Sequence, residues 1–144
     1  DREERFPVPM LTPLHQGITV PDVDAAAKWY QDVFQFQIVK DEYAEALNCH
    51  IIFLRSGDFE LELFQYLGPD GKPLPAERTV PNEDIKTCGT KHVAYRVEDM
   101  AGMLAYLREK QVDIAAGPFP MGGDTVCFIR DNSGILLELI EKGS

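Results

Sequence analysis

Short stretches of alternating apolar and polar residues predict most of the strands in this chain. The first stretch covers residues 15–20, and Asp22 then stands where a helix N-cap belongs. Apolar residues recur after Asp22 at helical spacing, which predicts an amphipathic helix packed on a sheet. The three strands predicted next cover residues 36–42, 50–55 and 59–66. Residues 43–48 are predicted as a loop or a single helical turn.

The same order of elements occurs a second time further along the chain. The stretch "LHQGITVPDVDAAAKWY" aligns with "KHVAYRVEDMAGMLAYL", which places His15 over His92. The stretch "FLRSGDFELELF" aligns with "FIRDNSGILLELI", which places Glu62 over Glu138. The strands predicted in the second copy cover residues 92–97, 112–116, 125–131 and 135–141. The chain is therefore predicted to be a tandem duplication of a βαβββ unit.

The repeat sets the expected domain organisation and an α+β fold class. The expected segments are an N-terminal arm at 1–12, a first unit at 13–66, a linker at 67–88 and a second unit at 89–144. One unit is too small to bury its own sheet. We therefore expect the two βαβββ units to form one domain with a curved, barrel-like mixed sheet and the helices outside.

Composition and charge exclude several classes of function. The formal net charge of −10 argues against a nucleic-acid partner, which needs a basic face. No apolar run approaches the roughly 18 residues of a membrane span, and no stretch resembles a secretory leader. Three cysteines without CxxC spacing favour free thiols. We expect a cytoplasmic protein without a membrane partner.

Four residues at matched positions of the repeat are the candidate metal ligands. Each unit begins with a histidine and ends with a glutamate, so His15, Glu62, His92 and Glu138 are expected to converge near a pseudo-two-fold axis. Two imidazoles and two carboxylates suit one divalent ion such as Zn, Ni, Co, Mn or Fe. Glu60 shares the strand face of Glu62 and competes with it. A lone strand histidine such as His50 is more typical of a hydrogen-bonded structural residue.

The repeat and its motifs, above all "KHVAYRVED" and "GPFPMGGDTVCFIRDNSGILLELIE", resemble the vicinal oxygen chelate superfamily. This superfamily includes glyoxalase I, methylmalonyl-CoA epimerase, extradiol dioxygenases and bleomycin-resistance proteins. The resemblance implies paired βαβββ units that each form half of a metal-holding cup. It carries the metal positions over to His15, Glu62, His92 and Glu138.

The resemblance also ranks the possible reactions. An acidic residue at position 62 favours proton transfer next to a carbonyl, through a metal-stabilised enolate, over oxygen chemistry. The sequence Phe64-Gln65-Tyr66 lacks the asparagine that glyoxalases use for glutathione, so we predict an epimerase or racemase. The alternatives are a glyoxalase I-like lyase, an extradiol-type dioxygenase and a non-catalytic binding or resistance protein.

The expected substrate is a small carbonyl compound, and we expect a homodimer. The general base has three candidates. Glyoxalases imply Glu138, whereas epimerases place an acid near Glu42 and Glu45.

Overall fold

Two βαβββ units follow one another in the computed structural model, which describes residues 9–72, 86 and 88–143. The first unit contains β1 (His15–Thr19), α1 (Val23–Phe34), β2 (Gln37–Ala44), β3 (Cys49–Ser56) and β4 (Phe59–Tyr66). The second unit contains β5 (Val93–Arg96), α2 (Met100–Glu109), β6 (Asp113–Met121), β7 (Asp124–Arg130) and β8 (Leu136–Glu141). The predicted tandem duplication is thus confirmed. Most of the predicted arm and linker lies outside the described residues.

Both helices begin at an aspartate in matched positions of the repeat. The Asp22 carboxylate accepts a hydrogen bond from the Ala25 N–H at 3.0 Å, and the Asp99 carboxylate accepts one from the Gly102 N–H at 3.1 Å. Each carboxylate satisfies a backbone donor that the first helical turn would leave without a partner. The N-cap expected at Asp22 is therefore present, and its counterpart in the second unit has the same geometry.

One connecting segment has a predicted form, and one strand extends past its predicted end. The region 43–48 contains a 3₁₀ turn at Glu45–Leu47, one of the two forms predicted for it. Strand β6 extends to Met121, well past the predicted end at residue 116. Its proline-rich second half resembles a loop in sequence, but β6 is an edge strand, where proline costs few ladder hydrogen bonds.

The eight strands form two four-stranded mixed sheets with the same topology. Their strand orders are β1-β4-β3-β2 and β5-β8-β7-β6. In each sheet the first strand of the unit runs parallel to the last, and the other neighbours are antiparallel. The α+β fold class is confirmed, and the strands of the described residues form two sheets that do not close into a barrel.

Each sheet has one face toward its helix and one face that carries the candidate ligands. Leu61 and Leu63 of β4 are fully buried on the helix-covered face, whereas Glu62 between them points to the opposite face. We call this opposite face of each sheet the site face. Among the described residues, no helix is long and apolar enough to cross a membrane.

The two units contact each other through their helix-covered sides. Tyr95 of β5 packs edge-on against Phe36 and Phe59, with ring centroids 6.5 Å and 5.8 Å away. The Tyr30 hydroxyl of α1 donates a hydrogen bond of 2.7 Å to the buried carboxylate of Asp131, just after β7. Buried side chains of both units consequently belong to one hydrophobic core.

Candidate metal centre

The first unit brings its candidate histidine and glutamate together on the site face. In the parallel pairing of β1 with β4, Gly17 is the register partner of Glu62, and His15 lies two residues earlier on the same face. His15 Nε2 is 3.1 Å from Glu62 Oε1, and the two side chains are 32% and 18% exposed. We call these two residues the first pair.

The second unit repeats this arrangement in its own sheet. Ala94 of β5 is the register partner of Glu138, and His92 precedes β5 on the same face. His92 Nε2 is 3.2 Å from Glu138 Oε1, and the side chains are 26% and 15% exposed. We call these residues the second pair. The alignment of the two sequence repeats therefore corresponds to matched side-chain geometry.

A phenylalanine packs edge-on against each of the two histidines. The ring centroids of His15 and Phe53 are 5.6 Å apart, and those of His92 and Phe128 are 5.2 Å apart. Phe119 stacks on Phe128 at 6.5 Å. The repeat alignment places Phe128 directly over Phe53, so the sequence carries the signal for both rings. These rings fix the imidazole orientations and give the site faces an apolar border.

On the neighbouring strand, a small residue is the register partner of each glutamate. A Cβ atom added at Gly17 would lie 3.1 Å from Phe64 Cε2 and 4.0 Å from Glu62 Oε1. Ala94 takes the equivalent position beside Glu138. The chain thus leaves space next to both carboxylates, and the imidazole and carboxylate donors suit a borderline divalent ion. The residues present fit such an ion.

The competing glutamate of β4 has a different partner. The Arg55 guanidinium donates two hydrogen bonds to Glu60 Oε2, at 3.0 Å and 2.7 Å. Both residues lie toward one end of the site face, because Arg55 and Glu60 are register partners in β3 and β4. Glu60 is therefore compensated by a cation, whereas Glu62 faces the imidazole of His15.

The four candidate ligands form two pairs, and no three of them are gathered into one cluster. Within the described residues, the three side chains whose possible ligand atoms all lie within 4.8 Å of one another are Asp24, Asp41 and His50. This triad was not predicted from the sequence. Asp41 and His50 are brought together by the register of β2 and β3, and the position of α1 adds Asp24 from further away in the chain.

The candidate bases occupy different surroundings. Glu42 of β2 is the register partner of Ile51, which pairs with Phe64 on the site face of β4. Glu42 therefore projects onto the same face as the first pair, where it lies 3.4 Å from Lys40. Glu45 begins the 3₁₀ turn and is exposed. Glu138 is already part of the second pair.

The thiol beside His50 does not form a nucleophile–base pair with it. Cys49 and His50 are adjacent in β3, so their side chains point to opposite faces of the sheet. Burial raises the pKa of Cys49, and the charge of Glu62 adds a smaller effect in the same direction. A neutral, buried thiol is a poor nucleophile.

Comparison with known proteins places this duplicated architecture in a family. A model of the glyoxalase/bleomycin resistance protein/dioxygenase superfamily matches residues 12–139. The chain belongs to this superfamily. The resemblance to the vicinal oxygen chelate proteins is thereby confirmed, and membership covers both units with their candidate ligands.

Several members of the superfamily are similar to the chain over most of its length. A mitochondrial methylmalonyl-CoA epimerase of Mus musculus is 28% identical over 142 residues, which cover 95% of this chain and 77% of that protein. A lactoylglutathione lyase of Arabidopsis thaliana is 26% identical over 90% of this chain and 44% of that protein. A glyoxalase family protein from Enterococcus faecalis superposes with a TM-score of 0.74, at 24% identity, over 90% of this chain and 97% of that structure.

Proposed function

We propose that this chain is a divalent-metal-dependent isomerase of the epimerase or racemase type. It removes a proton from the carbon next to a carbonyl and returns it to the opposite side. The observation that carries this proposal is the matched His–Glu pair in each unit, at 3.1 Å and 3.2 Å. The similarity to a methylmalonyl-CoA epimerase supports the same reaction class and favours acyl thioesters as the first substrates to test.

Both pairs together would hold one divalent ion. Their two imidazoles and two carboxylates leave room for two further ligands on an octahedral ion. A divalent ion bound there would stabilise the negative charge that develops on the carbonyl oxygen when the α-proton leaves. Phe53 and Phe128, packed on the two histidines, would orient the imidazoles and limit water around the substrate.

We further propose that the site is completed between two copies of the chain. The two units contact each other through their helix-covered sides, so the site faces turn away from the shared core. The first pair of one copy would then meet the second pair of the other. This arrangement makes the expected homodimer necessary for metal binding. We keep the cytoplasm as the proposed location, because all three cysteines are free thiols.

A carboxylate of this chain would take the proton. Glu42 shares the site face with the first pair and needs only to separate from Lys40, 3.4 Å away. Glu138 is the second candidate for the base. A carboxylate bound to a cation has a low proton affinity, so Glu138 would have to separate from the metal ion before it accepts a proton. Glu45 could reach a substrate from the 3₁₀ turn that follows β2.

A glyoxalase-type lyase is the second candidate function. Lactoylglutathione lyases are among the relatives, and that reaction also begins with removal of a proton next to a carbonyl. The two functions differ in the product: an epimerase inverts one carbon, whereas the lyase route needs a thiol adduct. A dioxygenase is less favoured, because a fourth ligand at Glu62 would occupy space that dioxygen needs.

The proposed reaction is tested by exchange of the substrate proton with solvent. Metal-loaded protein is incubated in deuterated water with 2-substituted acyl thioesters, α-hydroxy ketones and the thiol adducts of 2-oxoaldehydes. We expect deuterium at the α-carbon of one class, with inversion and no net product. Isomer formation only from a thiol adduct would favour the lyase. If no compound exchanges with fully metallated protein, the proposal is wrong.

Three glutamine variants separate the candidate bases in the same assay. If Glu42 is the base, Glu42→Gln should lower exchange by about 100-fold or more while the metal content stays unchanged. If Glu45 is the base, Glu45→Gln should instead be the variant that lowers exchange and keeps its metal content. Glu138→Gln should lose both exchange and metal. Glu98→Gln is the matched control, because that side chain is 90% exposed and lies outside the site.

A further inference from the structure

A second group of possible metal ligands lies on the helix-covered side of the first sheet. Asp24 stands in the first turn of α1, Asp41 in β2 and His50 in β3, with their ligand atoms all within 4.8 Å of one another. Asp41 is the register partner of Ile52, which is buried in the core, so this group lies opposite the site face. It shares no residue with the first or the second pair.

The strand register and the start of α1 together hold this group in place. His50 and Asp41 are diagonal neighbours across β3 and β2, and His50 Nε2 is 2.7 Å from Asp41 Oδ1. The start of α1 is fixed to the sheet by a 2.8 Å hydrogen bond from the Val23 N–H to Gln65 Oε1. Asp24 is thereby held beside the two strand residues.

The donor set of this group suits a divalent cation. Two carboxylates near each other repel, and a bound cation relieves that repulsion. One imidazole and two carboxylates form a three-ligand set for a borderline divalent ion, with water completing its coordination. His50 and Asp41 are 26% and 53% exposed at the side chain, so an ion can enter from solvent. The net charge of −10 favours its accumulation.

We infer that Asp24, Asp41 and His50 form a second divalent-cation site, separate from the proposed catalytic one. An ion there would join the start of α1 to β2 and β3. Asp41 and Glu42 are adjacent in β2 and point to opposite faces, so the ion would also restrain the strand that carries Glu42. The site is therefore structural, and it stabilises the first unit whatever the reaction on the other face.

The test uses the full chain with the other candidate ligands removed. In a His15→Ala/His92→Ala background, equilibrium dialysis with Zn²⁺ followed by elemental analysis should find about one ion per chain. Zinc should also raise the melting temperature of this background. Adding His50→Gln should remove both effects. Asp32→Asn is the matched control, because Asp32 lies on the same helix but pairs with Lys28, and it should change neither effect.

The same substitution in the otherwise unchanged chain gives a test that does not depend on the His15→Ala/His92→Ala background. His50→Gln in the otherwise unchanged chain should lose the zinc site of the triad and retain exchange activity. The His15→Ala/His92→Ala variant should keep that zinc site, lose the other one and lose exchange activity. If the background binds no zinc while circular dichroism shows that it is folded, the inference is wrong. It is equally wrong if His50→Gln leaves zinc stoichiometry and melting temperature unchanged, since His50 then serves only as an ion-pair partner of Asp41.

Discussion

At the scale of single residues, Gly17 sets the space beside the first pair. A Cβ atom there already lies 3.1 Å from Phe64 Cε2, and the branches of a valine would extend toward Glu62 Oε1. Overpacking of this kind costs about 1–3 kcal/mol. We therefore predict that Gly17→Val weakens zinc binding by at least about tenfold, measured by competition with a chromophoric chelator.

The matched control for Gly17 is its neighbour on the same strand and face. Thr19→Val changes an exposed residue two positions further along β1 and should bind zinc as tightly as the unmodified chain. Equal affinity in Gly17→Val and in the unmodified chain would show that the space beside Glu62 is not used by an ion.

Single residues also show what the sequence could predict about the site. The repeat favours Glu62 over Glu60 because it aligns Glu62 with Glu138, and in the structure Glu62 lies against His15 while Arg55 pairs with Glu60. The repeat supplied that information. No repeat or spacing could supply the Asp24–Asp41–His50 triad, because it depends on a diagonal register across two strands and on how α1 packs against the sheet.

At the scale of elements, a hydrogen bond from α1 to the β7–β8 hairpin connects the two units. The Tyr30 hydroxyl donates to Asp131, whose carboxylate also accepts the N–H groups of Ser133 and Ile135. Burial, with a smaller contribution from the Asp131 charge, raises the pKa of Tyr30 well above its usual value. The link therefore requires a protonated Tyr30.

Removal of this link has a predictable cost and pH dependence. Tyr30→Phe should lower the free energy of unfolding at pH 7 by about 1.5–3 kcal/mol, the range for a hydrogen bond to a charged group. Because the folded-state pKa is raised, the contribution is fully present below the usual tyrosine pKa of about 10 and declines as the pH rises above it. Urea titrations at pH 7 and at pH 10.5 measure both effects.

Tyr106→Phe is the control for this element. Tyr106 of α2 donates to the carbonyl of Val33 at 2.6 Å, so it also joins the two units, but through a neutral acceptor. Its loss should cost less, about 0.5–1.5 kcal/mol. The account of the link is contradicted if the two variants are equally stable at pH 7, or if Tyr30→Phe loses stability above pH 10 as steeply as the unmodified chain.

Elements with a clear hydrophobic periodicity were predictable from the sequence. Elements whose conformation depends on a neighbouring strand were not. The strand at 59–66 and both N-caps follow directly from alternation and from aspartate before an apolar helix face. The second half of β6 contains Gly117, Pro118 and Pro120, which indicate a loop. It pairs with β7 because an edge strand uses only one side for hydrogen bonds, and that preference is set by its neighbour rather than by its own sequence.

At the scale of the whole molecule, the duplication was visible in the sequence, but the way in which the units meet was not. The alternation of apolar and polar residues shows which face of a strand is apolar. It does not show which helix or sheet will pack against that face. Contacts such as Tyr95 with Phe36 join the units through their helix-covered sides. The expected convergence of all four ligands stays a prediction, since the structure gives the distance within each pair and both pairs lie on matched positions of the two units.

The central claim is that one ion is held by the first pair of one copy and the second pair of another. A heterodimer of differently tagged His15→Ala and His92→Ala chains tests it most directly. In such a heterodimer one site lacks both histidines, and the other keeps all four ligands. Zinc is measured on dimers purified through both tags, with each single-variant homodimer in parallel. To keep the triad from contributing, every chain also carries His50→Gln.

The account predicts about one zinc ion per heterodimer, together with restored α-proton exchange, while either homodimer binds little zinc and is inactive. If the heterodimer binds no more zinc than its parent homodimers and shows no exchange, the four ligands are not shared between two copies, and the central claim is contradicted.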